Sequence, residues 1–311
     1  MKYCVEYYDK FRYNDVVDEV IYRYNDYKVR LVDEIKKRNW KEDQRIIIDI
    51  RDVLNTTSAE DLMSVIRMCQ KIHSNIAVKV LFGDRDEILE DLKSAGIPFF
   101  YSKPCNSLED VYSQIKDGVK DIYVVEYAGF ELLCISAYCK KNDVNIRVYP
   151  NIAQCSYENK QNIPDACKFF IRPEDVETYE GLVDVFEFYG DEDRYSILYE
   201  IYQNRRWLGN LKELIGEITI DVDNSTIVPY FAQRRTDCGQ MCMLGKCNYC
   251  KDVLDVASSF KELDLMIDTP KNKEWINGTE SYKKAVQTYE TAIKELSAEI
   301  PEETGIQADS E

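Results

Sequence analysis

The chain of 311 residues contains a single histidine, His73. Most catalytic triads use histidine as the base, and most hydrolytic zinc sites use it as a ligand. The glycine-rich phosphate-binding patterns G-x-G-x-x-G and G-x-x-x-x-G-K-[ST] are also missing. These absences remove most His-dependent hydrolase sites and the commonest nucleotide-binding loops from consideration.

Basic residues are in short supply, with 40 Lys and Arg against 57 Asp and Glu and a net charge of −17. Direct binding to nucleic acid or to an anionic membrane needs a surplus of basic side chains, so both are disfavoured. Long apolar runs are missing too, because stretches such as residues 45–50 (RIIIDI) have only the length of a strand. We therefore expect no membrane span and, because no apolar signal segment opens the chain, a cytoplasmic location.

Cysteines are concentrated in one segment, residues 238–250, which holds four of the eleven in the chain. Cys238, Cys242, Cys247 and Cys250 follow the spacing C-x3-C-x4-C-x2-C, with glycines at 239 and 245 that allow tight turns. The alternatives are two disulfides or small apolar core residues. A chain long enough to fold without disulfides, in a reducing compartment, favours a metal centre held by four thiolates.

Two kinds of metal centre suit four thiolates. Zinc ribbons usually separate their cysteine pairs by a longer loop than the four residues between Cys242 and Cys247. Iron-sulfur clusters often use compact runs, although this run lacks the ferredoxin spacing C-x2-C-x2-C. The spacing alone leaves both kinds of centre open, and the preference between them comes from the rest of the chain.

The apolar patterning before residue 209 alternates between strands and helices. A tyrosine-rich connection after the first strand leads to a helix near residues 27–38. The eight predicted strands are residues 2–7, 45–50, 77–82, 97–101, 121–126, 145–150, 168–172 and 183–188. Eight strands with intervening helices predict an α/β fold of the (β/α)8, TIM-like barrel type. The alternative, a doubly wound open sheet, normally carries the glycine-rich turn that is missing here.

The predicted barrel domain covers residues 1–209, and the composition changes after it. Residues 210–298 are predicted to form a cysteine-rich metal-binding appendage with a helix over residues 281–296. Residues 299–311, acidic and without an apolar face, are predicted to be a disordered tail.

Polar residues lie at or near the predicted strand ends, where ligands bind in barrels of this kind. The ligand-binding candidates are Asp49, Arg51, Lys79, Tyr101, Arg172 and Tyr189, and the candidate catalytic acid-base groups are Glu126 and Glu187. Helix caps and loop ion pairs would explain each of these residues singly. As a ring they predict a pocket for an anionic or polar ligand.

Residues 169–176 (FFIRPEDV), the short helix after them, the strand ending at Gly190 and the downstream cysteines resemble the collagenase-like peptidase family. That family includes anaerobic ubiquinone and RNA hydroxylation proteins, and the resemblance implies a barrel with a four-cysteine iron-sulfur cluster. On that ground a cluster of the 4Fe-4S type is the favoured cofactor, with zinc as the alternative. The family spreads its ligands through the later barrel, so Cys155 and Cys167 are further ligand candidates. No nucleophile with a base, and no zinc site with histidine ligands, supports peptidase activity here.

Two functions from different classes follow. The first is an iron-sulfur barrel protein, an enzyme or a subunit of one, that acts in an oxygen-independent modification such as hydroxylation of a small molecule or RNA. The second is a non-catalytic binding or assembly protein with a structural zinc site. The expected partner is a small-molecule ligand or another protein.

Overall fold

The computed structural model describes residues 1–25, 28–53, 56–81, 86–105, 107–124, 130–151, 170–190, 192–214, 222–227, 231, 252–253 and 256–257. Eight parallel strands are formed in this part of the chain. They are β1 (Lys2–Glu6), β2 (Glu19–Arg23), β3 (Arg45–Asp49), β4 (Ile76–Val80), β5 (Phe99–Tyr101), β6 (Asp121–Tyr123), β7 (Asn145–Val148) and β8 (Val185–Glu187). Their order in the sheet is β5-β4-β3-β2-β1-β8-β7-β6.

The sheet curls until its two outer strands, β5 and β6, meet. The backbone N–H of Cys105 donates to the carbonyl of Tyr123 at 2.7 Å, and that of Lys120 donates to Phe99 at 3.2 Å. The result is a nearly closed parallel barrel, so the open doubly wound alternative does not describe this chain.

Helices cover the outside of the barrel. They are α1 (Lys28–Lys36), α2 (Ala59–Ile72), α3 (Asp86–Ser94), α4 (Leu108–Lys116), α5 (Phe130–Lys141), α6 (Val176–Tyr179), α7 (Glu192–Gln203) and α8 (Leu211–Leu214). The first six connect successive strands from β2 to β8, and α7 follows β8. None of the helices in the described ranges has the length and apolar character that crossing a bilayer requires.

The connection between β1 and β2 runs through turns where the other crossovers have a helix. Its tyrosines pack on α7, with the Tyr8 ring stacked 5.5 Å from Tyr195 and the Tyr13 ring 4.9 Å from Tyr199. Large aromatic side chains bury much apolar area each, so this short segment covers the barrel without a helix.

The predicted count of eight strands is right, although one assignment is wrong and one strand was missed. β2 was missed inside the tyrosine-rich connection, because Glu19 at its start is a buried charge that breaks the apolar pattern. A strand over residues 168–172 was predicted, but the described residues 170–172 pair with no strand. Ile171 donates one hydrogen bond to Pro150 at 2.9 Å, and a short 3-10 helix, Pro173–Asp175, follows directly after Arg172.

The chain continues past the barrel along its surface. Leu211 in α8 donates its backbone N–H to Val222 at 2.8 Å, and Phe231 is buried with its ring 6.0 Å from that of Phe170. The cysteine segment, the predicted helix at residues 281–296 and the acidic tail lie outside the described residues. The predicted boundaries at residues 209 and 298 therefore stay predictions.

Candidate functional site

The interior of the barrel carries charge where barrels of this type usually carry branched apolar side chains. Lys79 in β4, Arg147 in β7 and Glu187 in β8 are each no more than 3% exposed. Lys79 is the register partner of Asp49 in β3, so these two side chains lie at the same height along the barrel. Charges this deep persist only when they are paired, so their partners define the site.

Lys79 and Glu187 form the centre of the cluster, with Lys79 Nζ 2.9 Å from Glu187 Oε1. Tyr149, directly after β7, donates its hydroxyl to the same Oε1 at 3.0 Å and accepts from Lys79 Nζ at 3.4 Å. Tyr123 donates to the other carboxylate oxygen, Oε2. The two tyrosine rings stack 5.2 Å apart, and Lys79 Nζ lies 4.7 Å from the centroid of the Tyr123 ring. We call these four residues the Lys79 cluster.

Arg147 joins the Lys79 cluster to the amino-terminal end of the barrel. Its Nη2 lies 3.1 Å from Glu187 Oε2, and its Nη1 lies 2.5 Å from Glu19 Oε2 and 3.3 Å from Asp121 Oδ1. Arg45 completes the network with Nη2 at 2.8 Å from Asp121 Oδ2. Glu19, Arg45 and Asp121 are the first residues of their strands, so paired charges run through the barrel from one end towards the other.

Two further ion pairs lie at the carboxyl-terminal end of the strands, which we call the mouth. Arg51 forms a bidentate ion pair with Asp49, with Nε–Oδ1 at 2.8 Å and Nη2–Oδ2 at 2.6 Å. The side chain of Arg51 is one-third exposed. Arg23 pairs with Glu6 at 2.8 Å, and the arginine of that pair is about half exposed. Unlike the Lys79–Glu187 pair beneath them, these arginines are within reach of solvent and of a ligand.

The charges in the Lys79 cluster fix its protonation states. Burial alone would raise the pKa of Glu187, but Lys79 and Arg147 outweigh burial and lower that pKa from the ordinary 4.5 to about 2. Burial, followed by the charge of Glu187, raises the pKa of Tyr123 and of Tyr149 well above the usual range. At neutral pH Glu187 is therefore an ionised acceptor, and the two tyrosines are protonated donors.

The low pKa of Glu187 predicts a loss of stability in acid. Between pH 4.5 and about 2 the unfolded chain protonates this carboxylate while the folded chain does not, so its contribution is present above pH 4.5 and fades as pH falls to about 2. We expect Glu187→Gln to be less stable than the parent at pH 6, with the gap narrowing over that window. Denaturant unfolding from pH 6 to pH 2 measures this difference in the free energy of unfolding between the variant and the parent. The exposed Glu42→Gln is the control, expected within about 0.5 kcal/mol of the parent; a gap that is constant with pH would contradict the prediction.

Five of the eight predicted ligand-binding and catalytic residues lie at or just beneath the mouth. These are Asp49, Arg51, Lys79, Glu187 and Tyr189. Tyr189 is 59% exposed, and its ring lies edge-on to Tyr149 with centroids 6.4 Å apart. Its backbone N–H donates to the side chain of Asn151 at 2.9 Å.

Tyr101 and Arg172 do not join them. Strand residues alternate between the two faces of the sheet, and since Phe100 faces Arg147 inside the barrel, Tyr101 faces the outer helices. There its hydroxyl donates to Asp117 at the end of α4, at 3.1 Å. Arg172 forms a buried bidentate pair with Asp175 at 2.6 and 2.7 Å and lies over the ring of Phe231. Its predicted place at a strand end is wrong because residues 170–172 form no strand. Glu126 lies outside the described residues.

The prediction of site residues from strand-end positions did not include Arg147, Tyr123 and Tyr149. Arg147 occupies the third position of the four-residue strand β7, too early to count as a strand end. The signal available in the sequence was the alternation N-I-R-V-Y over residues 145–149, which places Arg147 and Tyr149 on the same face of the strand.

Cys238, Cys242, Cys247 and Cys250 lie outside the described residues, as do Cys155 and Cys167. The described cysteines are free thiols: Cys4, Cys69, Cys105, Cys134 and Cys139. No group of three or more His, Cys, Asp and Glu side chains suited to a metal ion occurs within the described ranges. The metal site predicted from the cysteine spacing therefore stays a prediction.

Comparison with known proteins gives a short match. Over 103 residues, 30% of this chain, the sequence is 34% identical to the uncharacterized protease MJ1657 of Methanocaldococcus jannaschii, and the match covers 29% of that protein. No protein-family model matches the chain. The match is in keeping with a distant relationship to a peptidase, and it is too short to establish membership of the collagenase-like peptidase family or of another.

Proposed function

We propose that the mouth of the barrel is the active site of an enzyme that acts on a small polar or anionic molecule. The observation that carries the proposal is the position of Tyr149. Its hydroxyl contacts both members of the buried Lys79–Glu187 pair, while its side chain stays partly exposed at the mouth. It therefore links the deepest charges of the barrel to the surface where a ligand arrives.

The cluster suits the stabilisation of negative charge on a ligand oxygen. A protonated tyrosine with a raised pKa donates a hydrogen bond but resists giving up its proton. Tyr149 donates either to Glu187 or to a ligand oxygen, and the guanidinium of Arg51, one-third exposed, is placed to bind a carboxylate or phosphate group.

The proton-transfer role first predicted for Glu187 changes with its environment. A carboxylate whose pKa is about 2 is a weak general base at neutral pH. Glu187 instead holds Lys79 and the two tyrosines in place. Glu126, which lies outside the described residues, stays a candidate acid-base group because its position in the sequence, shortly after the end of β6, is that of a strand-end residue.

The name of the matched protein suggests peptide hydrolysis, but the described residues at the mouth do not offer a reactive nucleophile for that reaction. The charged groups there are already paired with one another, and the thiol of Cys4, which lies among the buried charges, is fully buried with a pKa raised by desolvation. A neutral buried thiol is a poor nucleophile. We propose non-hydrolytic chemistry, with the four-thiolate segment at residues 238–250 as the candidate for a 4Fe-4S cluster and an oxygen-independent modification as the candidate reaction.

A second candidate function rests on a different observation. Each charged group of the buried network has at least one oppositely charged partner inside the barrel, so the network can serve as a barrel core in its own right. The groups are Arg147, Lys79, Glu187, Glu19 and Asp121. This pairing favours a non-catalytic binding or assembly protein, in which the cysteine segment holds a structural zinc.

Ligand binding separates the two candidates. We expect at least one compound in a panel of small carboxylates and phosphates to raise the unfolding temperature, because a ligand that binds only the folded state stabilises it. Arg51→Gln and Tyr149→Phe should abolish that rise. The matched control is Arg30→Gln, since Arg30 also pairs with a carboxylate, Glu34 at 2.8 Å, but on the outside of the barrel in α1. A rise that survives in both mouth variants, or a panel without any binder, would favour the assembly function.

A further inference from the structure

Helices α4 and α5 lie side by side on the outside of the barrel, and an apolar strip runs over part of their outer surface between exposed charged residues such as Glu109 and Lys116. Leu108 and Tyr112 are four residues apart on α4 and are 49% and 57% exposed. The ring of Tyr112 lies 6.4 Å from that of Tyr138 on α5, so apolar side chains of the two helices adjoin.

The outward side of α5 is apolar from Leu133 to Tyr138 and ends in two exposed lysines, Lys140 and Lys141. Leu132, Ile135 and Cys139 face inwards and are buried. The exposed or half-buried positions before the two terminal lysines are all apolar or small: Leu133, Cys134, Ala137 and Tyr138. A surface helix normally carries polar residues on that side, and a helix that is apolar all round is normally covered. We call Leu108, Tyr112, Leu133, Cys134, Ala137 and Tyr138 the α4–α5 face.

A segment of matching character lies further along the same chain, outside the described residues. Apolar residues recur at spacings of four and three: Tyr282, Val286, Tyr289, Ile293 and Leu296. This pattern predicts an amphipathic helix with one narrow apolar stripe, the kind that packs lengthwise against other helices. Fifteen helical residues span about 22 Å, close to the roughly 18 Å of the twelve residues of α5.

We propose that the helix predicted over residues 281–296 docks through this stripe on the α4–α5 face of its own chain. Residues 258–280 connect it to the last described residue, Ala257, and 23 extended residues reach up to about 80 Å, enough for any face of the barrel. The tether also favours the same chain over a second copy, because a linked segment is present at an effective concentration near the millimolar range.

Photo-crosslinking of the full chain tests this docking. p-Benzoylphenylalanine at position 112 should crosslink within the same chain to the peptide that contains residues 282–296. The same probe at position 68 should give no such crosslink, since Met68 is 45% exposed but lies on α2. A mixture of ¹⁴N- and ¹⁵N-labelled protein distinguishes crosslinks within a chain from those between two copies.

Variants of the stripe make the test specific. Val286→Asp combined with Ile293→Asp should reduce the crosslink to the level of the position 68 control. Thr288→Asp combined with Thr291→Asp adds the same charge on the opposite side of the predicted helix and should leave the crosslink intact. Crosslinks between isotopically different copies, crosslinks that survive in the stripe variant, or no crosslink to the segment at all would overturn the proposal.

Discussion

Arg147→Met is expected to destabilise the barrel by about 3 to 5 kcal/mol, enough to unfold many domains of this size. The guanidinium is fully buried and pairs with Glu19, Asp121 and Glu187. Methionine fills a similar volume but leaves those carboxylates with less opposing charge in a place that water does not reach. The cost is therefore that of the uncompensated charges as well as that of the lost hydrogen bonds.

Denaturant unfolding at neutral pH measures this loss. Arg30→Met on α1 is the matched control, because the Arg30–Glu34 pair is largely exposed and such pairs contribute about 0 to 1 kcal/mol. Adding Glu19→Gln to Arg147→Met should recover part of the stability, since it removes one of the carboxylates left without a partner. A loss below about 1 kcal/mol in Arg147→Met would show that the network contributes little to the fold.

The fold was largely predictable because most strands are apolar and β-branched. The runs around Ile46, Val78 and Val148 are buried on both sides, and such runs mark the strands of a parallel sheet. The strand that escaped prediction, β2, begins with Glu19, whose burial depends on Arg147, 128 residues further along the chain. No local pattern contains that information.

The residues of the candidate site were predictable only in part. A carboxyl-terminal position on a strand places Asp49 and Glu187 at one end of the barrel, because all parallel strands end on the same side. Side-chain direction then decides which residues meet. Tyr101 occupies an outward-facing strand position and is therefore absent from the mouth. Tyr149 continues the inward-facing positions of its strand and reaches the mouth.

Buried charge sets the interior of this barrel apart from the branched apolar interior that barrels of this type usually have. The Lys79–Glu187 pair costs desolvation energy that an apolar pair of the same size would not. Its partners Tyr123 and Tyr149 satisfy the remaining carboxylate lone pairs, which keeps that cost low. Under the proposed function, the partly exposed Tyr149 at the upper end of this cluster is the group that meets the ligand, which would explain why the barrel keeps charges at this cost.

The second large effect is expected in the cysteine segment. Replacement by serine of any one of Cys238, Cys242, Cys247 and Cys250 should remove most of the bound metal, because a four-thiolate centre loses a coordinating sulfur that serine does not replace. Anaerobically purified protein should contain iron and acid-labile sulfide and absorb visible light if the centre is a 4Fe-4S cluster, or about one zinc per chain without colour if it is structural zinc.

Metal and sulfide analysis of the four single variants beside the parent makes this test. The half-buried Cys134 on α5 supplies the control, since Cys134→Ser leaves the segment untouched and should retain the metal of the parent. Cys155→Ser and Cys167→Ser show whether the ligand set extends beyond the segment, because a loss of metal in either variant adds that residue to it. Because the cysteine spacing is what places the proposed metal site at residues 238–250, full metal content in all four single variants would remove the site from this segment. The mouth, whose geometry rests on Lys79, Tyr149 and Glu187, would then have to act without a cluster held there.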